Sequence, residues 1–181
     1  MKPIKPIRRS MSISQDIVDL LNQQIKIEAK ASSVYLSIAS WCDQRGLVRA
    51  ATFFYEQSQE ERDHMLKIFH FINDAGGQAI SPEISGVSPE FDTLKEVFEY
   101  SLDREIEVTK SIYKIIQHCR ELMDYGTENF LNWFITEQLE EEATMRSIID
   151  MIDLMEGQPL QLIDERIIIT SQEVDQAASA E

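Results

Sequence analysis

Four stretches of this chain, Ser14–Cys42, Leu47–Ala75, Phe91–Cys119 and Tyr125–Met155, contain no glycine or proline in their interiors, and nothing else constrains the fold as strongly. Glycine and proline collect between or just inside their ends, at Gly46, Gly76, Gly77, Pro82, Gly86, Pro89, Gly126, Gly157 and Pro159. Within each stretch apolar residues recur at helical spacing: Ile17, Leu21, Tyr35 and Ile38; Phe54, Ile68 and Phe71; Leu94, Phe98, Leu102, Ile112 and Ile116; Phe130, Phe134, Met145, Ile148 and Ile152. Each stretch is too long for a strand. The chain is therefore expected to be all-α, with four long amphipathic helices.

The connections decide how these helices are ordered. The first and third are short, which makes their flanking helices antiparallel neighbours. The middle one, Gly76 to Glu90, can reach roughly 50 Å at about 3.3 Å per residue, whereas a helix of this size is about 43 Å long. It is long enough to cross from one end of a bundle to the other. The expected architecture is a four-helix bundle of two antiparallel hairpins joined by one long crossover. After Gly157 and Pro159, Leu160–Ile169 reads as a short, very apolar fifth helix that must dock on the bundle or on another subunit.

Polar groups sit on the apolar stripes, where burial without compensation costs several kcal/mol, on the order of 2–7. Glu28 lies seven residues from both Leu21 and Tyr35. The second stripe runs Phe54, Gln57, Glu61, His64, Ile68, with a carboxylate and an imidazole at i and i+3; the third runs through Glu105, and the fourth through Gln138 and Glu141. Glu28, Glu61 and Glu105 fall at the middles of their helices, and Gln138 and Glu141 straddle the middle of the fourth, so all belong to one layer. Carboxylates that converge in a low-dielectric core must bind protons or surround cations. Oxygen donors with one imidazole suit iron or manganese, and zinc can also occupy such a set.

Composition points the same way. Thirty-two acidic residues against 17 basic ones give a net charge of -15, which disfavours nucleic acid and anionic membrane and favours cations. Cys42 and Cys119 form no metal-binding pair in sequence and read as buried free thiols. No apolar run suffices to cross a membrane and no secretory leader is evident, so a cytoplasmic protein is expected. Residues 1–12 are expected to be a disordered extension before a domain spanning 13–170, and 171–181 a frayed tail.

The blocks LNQQIKIEAKASSVYLSIASWC around Glu28, QEERDHM around Glu61 and His64, and LNWFITEQLEEEATMRSIIDMI around Gln138 and Glu141 resemble the ferritin family, in particular the non-haem bacterial ferritins. The resemblance runs from about Ile13 to Thr170. It implies a ferroxidase centre for two irons, with Glu28, Glu61 and His64 on the first, Glu61 and Glu105 on the second, and Gln138 and Glu141 completing the set. It implies that Tyr35 supplies an electron or a hydrogen bond during oxidation, with Trp133 in a secondary redox part. It also implies a third iron position at Glu60, Glu137, Glu140 and possibly Glu141, although Glu60, Glu137 and Glu140 are equally what a solvated acidic face would present. Ferrous iron and O2 or H2O2 are the implied reactants, and the implied assembly is a hollow 24-subunit cage with the fifth helix at a fourfold axis and Glu128 near a threefold channel.

Departures from neighbouring families sharpen this. Gln138-x-x-Glu141 stands where di-iron oxygenases and haem-binding bacterioferritins carry a second Glu-x-x-His, and Arg62 stands where bacterioferritins place a haem-ligating methionine, so no haem is expected. Two other readings remain: a non-catalytic cage subunit that only nucleates mineral, and a di-iron oxidoreductase acting on peroxide or an organic substrate.

Overall fold

The computed structural model describes residues 11–87 and 90–178. Helix is the only regular structure among them: α1 (Gln15–Asp43), α2 (Val48–Asp74), α3 (Leu94–Glu121), α4 (Tyr125–Leu154) and α5 (Leu160–Ala178). The expected four-helix bundle with a crossover and a fifth helix is what the chain forms. α1 packs along α2, α3 along α4, α1 on α3, and α5 against both α4 and α2. No helix of the described residues is long and apolar enough to cross a membrane.

Local chemistry sets the ends. Ser14 caps α1 by accepting from the Ile17 N–H at 3.3 Å. Thr93 and Glu96 form a reciprocal capping box at α3, and Asp124 accepts from the Thr127 N–H at 3.0 Å to open α4. α2 ends in a Schellman arrangement, with Gly76 at φ +89° and the Gly77 N–H donating to the Ile72 carbonyl at 2.9 Å. α3 closes in the same way, yet the left-handed position belongs to Met123 at φ +56°, and Asp124 N–H reaches the Cys119 carbonyl at 2.8 Å. A non-glycine residue there costs about 1 kcal/mol.

The core divides into two apolar clusters. One holds Tyr35, Ile38, Phe53, Phe54, Phe98, Met145 and Ile148; the other holds Ile17, Leu21, Ile25, Ile68, Ile112, Leu131 and Phe134. The polar layer at the helix midpoints lies in sequence between their members on every helix. Cys42 and Cys119 are both buried free thiols.

The fifth helix departs from the expected ten residues. It runs on through Thr170 and Ser171, both buried, to Ala178, so the polar segment from 171 is not a frayed tail as far as it is described. No glycine or proline follows Pro159 to stop it, and its inner face, Ile163 and Ile167, is buried in the first cluster. Asp164 on the same face docks it further: its two carboxylate oxygens accept from the Arg49 N–H at 3.0 Å and the Ala50 N–H at 2.9 Å. These are first-turn donors of α2, whose own cap position, Leu47, offers no side-chain acceptor. Leu162 and Ile169, seven residues apart, remain exposed on the outer face, and Leu160 is exposed at the first turn. Of the expected N-terminal extension, residues 1–10 lie outside the described residues, and Ser12 donates its N–H to the Ala75 carbonyl at 2.9 Å.

Candidate metal centre

Register between α1 and α2 is fixed close to the polar layer. Ser32 donates through its hydroxyl to the Ser58 carbonyl at 2.7 Å, and Ser58 returns the bond to the Ser32 carbonyl at 2.8 Å. Ser32 lies one turn after Glu28 and Ser58 three residues before Glu61, so in this antiparallel pair the two carboxylates are brought level. Glu28, Glu61, His64, Glu105 and Gln138 are all buried.

Glu28, Glu61 and His64 each bring one ligand atom into a group whose members lie within 4.8 Å of one another. His64 Nδ1 is 3.5 Å from Glu61 Oε2. Glu28 Oε2, Glu61 Oε2 and His64 Nδ1 are buried and take no N–H donor, and the Glu28 and Glu61 carboxyls face each other closely enough that a proton on Glu61 favours the Glu28 carboxylate. Glu105 is arranged differently, since both its oxygens accept hydrogen bonds: Tyr35 donates its O–H to Oε1, and Gln138 donates from Nε2 to Oε2 at 2.9 Å. Glu141 is half-buried and turns toward a neighbouring cavity.

Burial dominates the electrostatics. It lifts the Glu28 carboxyl to about 7, against the opposing hydrogen bond from Gln24. Glu61 and Glu141 are raised well above the usual carboxylate range, first by burial and then by the charge of Glu105, and Glu105 is raised by burial despite the donors Tyr35 and Gln138. Burial, with the Lys67 ammonium, lowers His64 to about 4, so its imidazole is neutral at pH 7 and offers a lone pair. Carboxyls that burial keeps protonated, beside a neutral imidazole, would give up those protons to a bound cation.

Beside this layer a cavity of about 230 Å³ is lined by Glu56, Gln57, Glu60, Glu137, Glu140, Glu141, Phe53, Thr144 and Ser171. All four carboxylates expected around a third position therefore meet at one cavity, with Glu56 added. Glu137 also faces the imidazole from outside, its Oε2 3.9 Å from His64 Nε2. Trp133 stands edge-on to His64 with ring centroids 5.5 Å apart, and Lys67 Nζ lies 3.4 Å from the Trp133 ring centroid.

The model of the ferritin-like domain matches residues 18–155. The chain belongs to the ferritin family. It is 38% identical over 157 residues to the bacterial non-heme ferritin of Campylobacter jejuni, spanning 86% of this chain and 94% of that one. To the bacterial non-heme ferritin of Staphylococcus epidermidis it is 39% identical over 140 residues, 77% of this chain and 84% of that one. Among solved structures it is similar to the open pore ferritin of the archaeon Archaeoglobus fulgidus, with a TM-score of 0.83, 33% identity, and 86% and 98% of the two chains covered.

Several polar residues of this ferritin's interior escaped the stripes read from sequence. Gln24, one turn before Glu28, is fully buried and donates to Glu28 Oε1 at 2.8 Å. Glu142 is buried beside Glu141 and accepts from the Thr109 hydroxyl at 2.7 Å and from Arg146. The helical period could have found Gln24, which lies three residues after Leu21, but nothing in the sequence distinguishes Glu142 from its neighbours in the run Glu140-Glu141-Glu142. Glu128 is engaged within its own subunit, accepting from Arg120 Nε at 2.8 Å.

Proposed function

We propose that this chain is an iron-storage subunit that oxidises Fe(II) inside its own bundle and passes Fe(III) to a mineral held in a 24-subunit cage. The observation that carries this reading is the convergence of buried Glu28, Glu61 and His64, one ligand atom of each within 4.8 Å of the others, with Glu28 Oε2, Glu61 Oε2 and His64 Nδ1 left without a hydrogen-bond partner. A carboxyl pair in a core must hold protons or a cation, and the neutral imidazole of His64 beside this one brings a lone pair that suits the cation. The naming of its relatives as non-heme ferritins makes ferrous iron the natural substrate.

In this reading Glu28, Glu61 and His64 take the first iron. Glu61 and Glu105 share the second, with Gln138 and Glu141 completing its surroundings. Two ferrous ions give up one electron each, and O2 with two protons leaves as hydrogen peroxide, or H2O2 itself takes the two electrons with two protons and leaves as two waters. The protein supplies proximity and anionic stabilisation of the higher charge. Tyr35 holds Glu105 at the reacting layer. The acidic cavity at Glu60, Glu137 and Glu140 takes a third iron and leads product away from the pair.

Aerobic stopped-flow mixing with Fe(II) tests this. A fast phase close to two irons per subunit is expected, and Glu61→Ala or His64→Ala should abolish it. A variant that keeps the parental fast rate would overturn the site. The mineral-nucleating subunit without catalysis predicts no fast phase at all.

A further inference from the structure

Gln24 is the one fully buried amide of α1, and it occupies a position where an aliphatic side chain would pack without penalty. It follows Ile17 and Leu21 on the inner face and adjoins Ile25, all three fully buried. Its carbonyl oxygen, Oε1, is buried with no donor, so keeping an amide here carries an unrelieved cost. The bond it does make is from Nε2 to Glu28 Oε1 at 2.8 Å, one helical turn along, with both groups at zero exposure.

That bond has a directional consequence. With Oε1 of Glu28 engaged by an N–H, the oxygen left without a donor is Oε2, and Glu28 is among the three residues whose ligand atoms converge within 4.8 Å. We infer that Gln24 is a positioning residue of the metal centre: it holds Glu28 as a one-oxygen ligand, which orients that oxygen and keeps coordination positions open for a second metal and an oxidant. The inference rests on the proposed site at Glu28, Glu61 and His64.

The opposite arrangement shows the logic. A carboxylate without such a donor is free to rotate and grip a cation with both oxygens, filling the coordination sphere of the first metal. Glu105 is fixed by a comparable device, the Gln138 amide at 2.9 Å, so each of these two buried carboxylates has its own amide. Gln24 differs in coming from the same helix as its carboxylate, which ties the orientation of Glu28 to the helical backbone itself.

The assembled protein, stripped of metal, is titrated with zinc, which has no redox chemistry, in the parent and in Gln24→Met, a variant of similar volume without donor or acceptor. Loss of such an outer partner weakens metal binding by about 10- to 100-fold, and that loss is expected for the first zinc. Metal-free melting temperature carries two opposing changes, since the unsatisfied Gln24 oxygen goes while Glu28 Oε1 loses its donor, so it serves only to show that the variant folds. Infrared difference spectra of zinc-loaded minus metal-free protein should show the separation of the carboxylate stretches narrowing, the mark of two-oxygen ligation. Gln24→Asn keeps the amide but is one methylene too short to reach, and should repeat the loss of affinity.

Parental zinc affinity in both variants, or a loss of affinity with the carboxylate stretches left at their parental separation, overturns the inference and makes Gln24 a packing residue. Glu61→Ala separates the two levels. If it keeps the first zinc, the site itself is misplaced; if it loses the zinc while Gln24→Met does not, only the role of Gln24 fails.

Discussion

Tyr35 on α1 donates its phenolic hydrogen to Glu105 on α3, seventy positions away, and both residues are fully buried. The bond joins an aromatic residue of the first apolar cluster to the carboxylate layer. Burial and the neighbouring carboxylates raise the Tyr35 hydroxyl well above its ordinary value, so it keeps its proton and remains a donor. Tyr35→Phe removes that donor without changing volume much. The expected outcome is a second zinc bound about 10- to 100-fold more weakly with the first unchanged, because Tyr35 touches Glu105 and not the Glu28, Glu61, His64 group. Calorimetric titration resolving the two steps is the check, and equal weakening of both would show that the layer is one cooperative unit.

Proton release should accompany metal uptake. Glu28 titrates near 7 in the metal-free fold, so below that pH a metal must displace a proton from it. Zinc affinity is expected to fall as pH drops from 7.5 to 6, and titrations in buffers of different ionisation enthalpy should register more protons released at the lower pH. Identical proton counts at both values would contradict this.

Metal-free stability should move the other way. A carboxyl raised from 4.5 to about 7 on folding contributes stability that is full below 4.5 and lost as pH climbs through 7. Glu61, Glu105 and Glu141, also raised, add to the same slope. His64, lowered to about 4, opposes it, since its contribution is present above 6.5 and lost as pH falls through 4. Four carboxyls against one imidazole make the net slope downward, so the metal-free melting temperature should decline between pH 5.5 and 7.5, and saturating zinc should abolish the decline. Scans at one rate are compared, because a large assembly can melt irreversibly.

Asp164 gives a prediction about architecture. Its two carboxylate oxygens accept from the first-turn Arg49 and Ala50 N–H groups of α2 at 3.0 and 2.9 Å. Asp164→Ala should cost about 1–2 kcal/mol, the range for a lost helix cap, while Asp164→Asn, which keeps one acceptor, should cost less. Denaturant titration measures both. If Ala and Asn cost the same, the charge rather than the pair of hydrogen bonds docks α5.

Assembly can be weighed directly. α5 leaves Leu162 and Ile169 on its outer face and Leu160 at its first turn exposed on the isolated subunit, a surface suited to a symmetric neighbour. Light scattering should give about 500 kDa, roughly 24 times the chain mass of 20.9 kDa. A monomer would remove the cage from the proposal, and half that mass would indicate a smaller shell.

Sequence alone determined the elements and the layer. The placement of glycine and proline, the helical period of the apolar residues and the length of the crossover specify four helices in two hairpins, and the same period puts Glu28, Glu61, His64, Glu105 and Gln138 on inner faces, because which way a residue points on a helix depends only on its position along the chain. What is paired with what was decided by tertiary structure. Whether a carboxylate stays open, as in Glu28 Oε2, or is saturated, as in Glu105, depends on side chains from other turns and other helices. The same limit hid Asp164 as the cap of α2, across more than a hundred residues, and the docking of α5 on α2 and α4. Periodicity is a local property and survives in one dimension; a hydrogen bond between distant turns exists only after the helices have met.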